Sequence, residues 1–118
     1  MENKVFDIQR ISSDGESFHY RAQINGKHPV FLGHFPQQPV VPGVCTLQML
    51  KDCLSEILSR PIRYDSVKEC KFLSAIIPGE HEFLDVNIHV KQGCNDVNVV
   101  AEVLAGESKM MKLKATLI

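Results

Sequence analysis

The sequence of 118 residues lacks the features that mark several large classes of protein. It contains no tryptophan and no basic run interleaved with aromatic side chains, which is the pattern expected of a nucleic-acid-binding surface. Its formal net charge is −1, so nothing indicates a general attraction to nucleic acid or to anionic membrane. No stretch approaches the roughly 18 apolar residues of a membrane-spanning helix. We therefore expect neither nucleic-acid binding nor membrane insertion.

The cysteines and the N-terminus also lack a functional pattern. Cys45, Cys53, Cys70 and Cys94 are widely spaced without a CxxC pair, so no metal or redox site is predicted. We expect them to be reduced, buried thiols. Residues 1–10 are too polar for a secretory signal because they lack an apolar core. Together these features predict a cytoplasmic protein.

The composition is that of an ordinary globular protein. Hydrophobic residues make up 44% of the chain and charged residues 23%. Domains commonly have about 100–150 residues. We therefore expect residues 1–118 to form a single domain with one core.

Alternating apolar and polar residues predict several β-strands. Residues 5–11 and 18–24 form a predicted pair around a turn at Asp14 and Gly15. Residues 67–73 are a further candidate, and residues 84–90, 97–105 and 111–117 alternate with a period of two. Successive strands with one apolar face are typical of an antiparallel sheet.

Residues 44–58 have the periodicity of a helix. Apolar side chains at spacings of three and four form a broad stripe, and others extend it around the helix (Val44, Cys45, Leu47, Met49, Leu50, Cys53, Leu54, Ile57 and Leu58). Pro61 ends the helix because it lacks an amide donor. We expect this helix to be surrounded by the rest of the protein. The predicted fold class is α+β, with an antiparallel sheet wrapped around one long central helix.

The segment before this helix carries the strongest functional signal. Residues 33–44 have the sequence GHFPQQPVVPGV, in which three prolines at intervals of three stiffen the loop. The expected cap position holds Gly43 instead of Ser, Thr, Asp or Asn, so the first amides of the helix are left to bind an outside oxygen. His34 lies a few residues upstream, where an imidazole could act as a base beside that oxygen.

Two other interpretations apply to the same segment. A histidine in a proline-rich loop is more often structural than catalytic. The PxxPxxP spacing is also that of a polyproline II ligand. The apolar intervening residues, the lack of basic anchors and the helix that follows at once disfavour the ligand interpretation.

The pattern GHFPxxPVxPGV resembles the signature of the 3-hydroxyacyl-acyl-carrier-protein dehydratases. Phe72, followed by Pro78, Gly79 and Glu80, resembles that family's F-x-x-P-x-x-PGD region. The resemblance implies a hotdog fold and a homodimer. In that dimer each active site combines the loop histidine of one subunit with helix residues of the other.

The resemblance also implies a reaction. A carrier protein would deliver an acyl chain on its phosphopantetheine arm into a narrow tunnel. His34 would remove a proton from C2 of the 3-hydroxyacyl thioester, and the amides of Gly43 and Val44 would hold the thioester oxygen. Phe35 and Pro42 would contribute to the substrate site. No metal and no tightly held cofactor are expected.

The helix departs from the family pattern at two positions. The family's proton donor, a Glu or Asp fourteen residues after the histidine, is replaced by Gln48. Four residues later, where the family usually has glutamine, the chain has Asp52. Residues i and i+4 share a helix face, so our hypothesis is that Asp52 donates the proton, or shares that role with His34, while Gln48 positions the hydroxyl. The alternative is that Asp52 is a solvated or ion-paired residue near Lys51.

Two competing functions remain open on the sequence alone. One is a hotdog acyl thioesterase, and the other is a non-catalytic hotdog subunit that binds acyl carrier protein, an interpretation that Gln48 favours. An acidic carrier protein predicts a basic rim around the tunnel mouth. Candidates for that rim are Lys27, Lys51, Arg60, Arg63, Lys68 and Lys71.

Overall fold

The described part of the chain contains one helix packed on a six-stranded sheet. The computed structural model describes residues 5–26, 40–78, 80–93 and 96–118. The helix is α1 (Gly43–Leu58). The strands, in the order β1-β2-β4-β5-β6-β3 within one antiparallel sheet, are β1 (Phe6–Asp14), β2 (Ser17–Ile24), β3 (Tyr64–Phe72), β4 (Phe83–Gln92), β5 (Val97–Ala105) and β6 (Ser108–Leu117).

The central strands follow the predicted alternation. In β4, Leu84, Val86 and Ile88 are buried, whereas Asn87 and His89 between and after them are exposed. Two hairpins turn at glycines with positive φ, Gly15 at 61° and Gly106 at 62°. Glycine is favoured at such positions because it has no Cβ to clash with the backbone.

The two edge strands differ most from the prediction. β1 continues past residue 11 to Asp14, with a bulge between Arg10 and Ser12, and β3 begins at Tyr64 instead of residue 67. These extra residues are mostly exposed on both faces. Backbone pairing to the neighbouring strand holds them in place, and such pairing leaves no hydrophobic alternation for a sequence pattern to detect.

The helix buries one face against the sheet. Met49, Leu50, Cys53 and Leu54 are buried in a single hydrophobic cluster together with inward residues of the strands. The helix ends at Ser59, whose left-handed φ of 55° allows the amides of Ser59 and Arg60 to bond carbonyls of the last turn.

The opposite face of the helix is open, which corrects the expectation of a fully surrounded helix. Val44 has 73% of its surface exposed, and Gln48 is exposed as well. The apolar residues that the sequence places around the whole cylinder therefore exceed what this one sheet covers. Cys45 is likewise half-buried instead of buried.

A polar cluster connects the C-terminal half of the helix to strands β1 and β2. Arg10 Nε donates to the Tyr20 hydroxyl at 3.0 Å, and that hydroxyl donates to Glu56 Oε1 at 2.9 Å. Burial raises the pKa of Tyr20 to about 12, and the hydrogen bond from Arg10 opposes that shift. The cluster joins β1, β2 and α1, so it holds the helix in a defined orientation over the sheet.

The predicted α+β class and hotdog architecture are confirmed by this arrangement of an antiparallel sheet around one helix. The described cysteines carry free thiols, but Cys70 resembles Cys45 in being half-buried, and Cys94 lies outside the described residues. Within the described ranges, the helix is neither long enough nor apolar enough to cross a membrane.

Candidate active site

The start of α1 leaves backbone donors without a cap. Pro42 is the N-cap residue, in an extended conformation with φ −61° and ψ 142°, so the predicted cap position of Gly43 moves by one. Among the residues that the structure describes, no side chain caps the helix, and the first turn has no acidic residue. The amides of Cys45 and Thr46 bond the Pro42 carbonyl, which leaves Gly43 and Val44 as the donors ahead of the first helical bond. A helix start of this kind can bind an oxygen that carries negative charge.

A groove opens beside this helix start. The Val41 amide donates to the Ile76 carbonyl at 2.8 Å and so fixes the segment before the helix against the segment that follows β3. The groove between them has a volume of about 580 Å³. It is lined by Val40, Val41, Gly43, Thr46, Phe72, Leu73, Ser74, Ala75 and Ile76. Since most of these side chains are apolar, the groove suits a hydrocarbon ligand with one polar end at the helix.

The ring of Phe72 lies against the first residue of the helix. A Cβ placed on Gly43 would come within 2.8 Å of Phe72 Cζ and within 3.3 Å of both Cε atoms. Phe72 is nevertheless 51% exposed, so its ring forms a wall of the groove instead of part of the core.

Gln48 and Asp52 form a pair on the open face of the helix. Gln48 Nε2 donates to Asp52 Oδ1 at 3.0 Å, as expected for residues one turn apart. Gln48 is exposed and Asp52 is half-buried. At 100° per residue, Gln48 lies about 160° around the axis from the groove residue Thr46. A single chain therefore does not bring the pair and the groove together.

Two groups with raised pKa values, Tyr64 of β3 and Cys53 of the helix, lie on the inner side of the helix near this pair. The Tyr64 hydroxyl donates to the Leu47 carbonyl at 3.0 Å, and burial is the main cause that raises the pKa of Tyr64, with smaller contributions from Cys53, Cys70 and Asp52. Burial also raises the pKa of Cys53 to about 12. These groups stay neutral near pH 7, so Tyr64 acts as a hydrogen-bond donor that ties β3 to the helix.

Two predicted site residues, His34 and Phe35, lie outside the described residues, as does His28. The other histidines have partners away from the helix start. His19 Nε2 lies 3.1 Å from Asp85 Oδ1, and His89 Nδ1 lies 3.3 Å from Ser17 Oγ, both on the outer face of the sheet. His81 Nδ1 accepts the Ile77 amide within a turn.

No cluster of three or more His, Cys, Asp or Glu side chains that could hold a metal ion occurs in the ranges that the structure describes. The candidate site is instead a set of backbone donors, an apolar groove and a separate polar pair.

Sequence reasoning missed two features of this region. Thr46 is buried in the groove wall. The sequence could have indicated this position, because Thr46 is a polar residue on the apolar stripe, one turn before Leu50. Lys112 lies directly across from Lys71 of β3 and from Glu102 of β5, on the sheet face opposite to Phe72. Only strand register reveals that neighbour, since the two lysines are far apart in the sequence.

Comparison with known proteins gives consistent matches over most of the chain. Residues 10–108 match the ApeI-like family model, described as ApeI dehydratase. The chain is 32% identical over 100 residues to the 3-hydroxyacyl-(acyl-carrier-protein) dehydratase FabZ of Histophilus somni (strain 2336), a match that spans 75% of the chain and 66% of that protein, just under two thirds of its length. It is 27% identical over 121 residues to the FabZ of Haemophilus influenzae (strain 86-028NP), covering 92% of the chain and 79% of that protein.

Solved structures show the same fold. The dehydratase heterocomplex ApeI:P from Xenorhabdus doucetiae matches with a TM-score of 0.73 and 19% identity, over 92% of this chain and 93% of that one. The E. coli PaaI protein of the phenylacetic acid degradation operon matches with a TM-score of 0.67 and 12% identity, over 93% of this chain and 77% of that one.

Proposed function

The chain belongs to the ApeI-like dehydratase family, and from this membership we propose that it removes water from a 3-hydroxyacyl thioester carried on acyl carrier protein. The reaction would serve fatty-acid or related acyl-chain synthesis in the cytoplasm. The observation that carries the proposal is the uncapped start of α1, where the Gly43 and Val44 amides open beside an apolar groove. Such an arrangement matches the thioester oxygen and the hydrocarbon chain of the substrate.

His34 is the proposed base. It takes the proton from C2, and the electron pair of that C–H bond moves toward the thioester oxygen. The pair then forms the C2–C3 double bond as the C3–O bond breaks, and the hydroxyl leaves as water with a proton from the donor. The charge that develops on the thioester oxygen is held by the Gly43 and Val44 amides, each worth about 3–4 kcal/mol in sites of this type. The chemistry proposed here uses side chains and backbone donors only, with no metal or tightly bound cofactor.

Asp52 is the proposed proton donor to the leaving hydroxyl, with Gln48 holding that hydroxyl by hydrogen bonds. The 3.0 Å bond between them supports the exchange of acid and amide, because it keeps both groups on one face. An amide cannot supply a proton as a carboxylic acid does, so the acid of the pair takes that role.

The proposed active unit is a dimer. The groove and the Gln48–Asp52 pair lie on opposite sides of the helix, so one complete site takes the groove from one subunit and the pair from the other. The exposed Val44 on the open face supports this, because a second copy would cover it.

The proposed carrier protein would meet a basic surface near the groove. Lys71 and Lys112 are directly opposed on β3 and β6, but Lys112 also lies directly opposite Glu102 on β5, which offsets the repulsion between the two lysines. Of the rim candidates, Lys71 lies next to the groove residue Phe72 along β3, but successive strand residues point to opposite faces, so its side chain lies on the other face of the sheet. Lys27 lies outside the described residues.

The test is incubation of the purified protein with matched 3-hydroxyacyl and saturated acyl thioesters of pantetheine. We expect the enoyl product from the hydroxyacyl substrate and no release of free thiol from either one. The His34→Ala variant should lose activity by about 10²–10⁴-fold, while His19→Ala, which removes an outer-face histidine, should retain it. Free thiol as the main product would instead establish a thioesterase.

A non-catalytic role is the second candidate, favoured by Gln48 at the position of the usual acid. The fold neighbour ApeI:P is described as a dehydratase heterocomplex, and this candidate role likewise pairs the protein with a different, active chain. If the protein binds acylated carrier protein in a pull-down assay but forms neither enoyl product nor free thiol, the subunit role replaces dehydration.

A further inference from the structure

Gly43 is a glycine because of its neighbour and not because of its backbone. Among the described glycines, positive φ occurs at Gly15 and Gly106 and not at Gly43, so the backbone of Gly43 would accept any L residue. What excludes a side chain there is the Phe72 ring, whose Cζ lies 2.8 Å from the position a Cβ would take. The Phe72 ring therefore occupies the space that a side chain at the first residue of the helix would need.

Backbone pairing at Phe72 and Leu73 fixes the position from which the Phe72 ring extends. Phe72 pairs with Met111 in the β3–β6 ladder, and the Leu73 amide donates to the Met110 carbonyl at 2.8 Å. The ring itself is 51% exposed and gains little from hydrophobic burial within the chain. Because its backbone is fixed and its ring is largely exposed, Phe72 is available to contact a ligand.

This wall stands where the reacting carbons would lie. A thioester oxygen bound at the Gly43 amide brings its carbonyl carbon next to Gly43, and C2 is bonded directly to that carbon. We propose that Phe72 restricts the site to acyl thioesters without a substituent on C2; the inference rests on the proposed function and names the substrate class of that site. A methyl group on C2 would compete with the ring for the space that also excludes a side chain at Gly43.

The experiment compares two substrates of equal chain length, a 3-hydroxyacyl pantetheine thioester and its 2-methyl counterpart, which still carries one removable C2 proton. The ratio of their kcat/KM values is measured for the wild type, Phe72→Ala and Phe72→Leu. We expect the wild type to have a kcat/KM about 10–100-fold higher for the unbranched substrate. This is the range by which one extra methylene group typically changes kcat/KM in a hydrophobic pocket. Phe72→Ala should reduce that preference by about tenfold, with Phe72→Leu between the two.

The matched control is Phe83→Ala. Phe83 is 41% exposed, stacks with Arg21 at 4.2 Å and lies outside the groove, so its loss should leave the ratio unchanged. A general loss of stability would lower both rates alike and not their ratio. The inference is overturned if Phe72→Ala keeps the wild-type ratio, or if Phe83→Ala changes it as much.

A binding measurement separates this inference from the proposed reaction. Unreactive pantetheine amides with and without a 2-methyl group are titrated calorimetrically into the same variants. If the wild type dehydrates neither substrate, the dehydratase proposal fails, but a Kd ratio that falls about tenfold in Phe72→Ala still supports the inference. Equal affinity of the wild type for both amides, or no binding of either, contradicts it.

Discussion

At the scale of single residues, Gln48 and Asp52 mark how far the sequence could lead. Their spacing of four predicted a shared helix face, and the 3.0 Å bond between them confirms it. The sequence could not predict that this face is open while the groove lies on the other side, because the direction of a helix face depends on which side the sheet covers. Whether Asp52 acts as an acid stays a prediction.

Replacing Asp52 by asparagine tests that acid directly. Asp52→Asn keeps the size of the side chain but removes its proton, so we expect kcat for dehydration to fall by about 10²-fold or more. Asp7→Asn, on the exposed edge of β1, is the matched control and should have no effect. Unchanged dehydration in Asp52→Asn would end the exchange hypothesis.

The companion variant is Gln48→Glu. It places a second carboxyl about one hydrogen-bond length from Asp52, where two like charges disfavour each other, so we expect turnover to stay level or fall. The same steady-state assay measures it. A sharp rise in kcat would mean that the native site is a weakened dehydratase that lacks its usual acid.

At the scale of elements, hydrophobic patterning succeeded where an element buries one face and failed where it does not. β4, β5 and β6 alternate because one side of each faces the core, and β4 and β5 lie within two residues of their predicted bounds, whereas β6 begins at Ser108, three residues before its predicted start. The start of β3 and the end of β1 were missed, since exposed edge residues pair through their backbones alone. The contact between Phe72 and Gly43 was also beyond prediction, because it depends on how β3 crosses the helix start.

That contact makes a prediction about the helix start. Gly43→Ala adds a methyl group where the Phe72 ring lies, so the ring must shift and we expect kcat/KM to fall by about tenfold, in line with the cost of overpacking. In a Phe72→Ala background the same change should cost much less. A double-mutant cycle measures this coupling. Equal losses in both backgrounds would show that Gly43 is required for another reason.

At the scale of the whole molecule, the proposed active site needs residues from more than one chain. Its groove and its polar pair point in different directions, and its helix leaves Val44 exposed. In a dimer with twofold symmetry, each of two identical contacts can join the groove of one subunit to the pair of the other. The open helix face departs from the predicted, fully surrounded helix. In the proposed dimer a second subunit covers this face, which accounts for the apolar residues that the sheet leaves exposed.

Mixing two inactive variants tests whether the sites are shared between subunits. His34→Ala lacks the proposed base, and the double variant Gln48→Leu/Asp52→Leu lacks both polar groups of the helix face. A mixed dimer has one site that carries all of the changes and one that carries none. Random reassembly from an equal mixture makes half of the dimers mixed, so we expect about a quarter of the wild-type activity to return. Sedimentation analysis checks that both variants still form dimers. If both are dimeric and inactive and the mixture stays inactive, each site belongs to one chain, and the proposed arrangement of Asp52 opposite the groove is wrong.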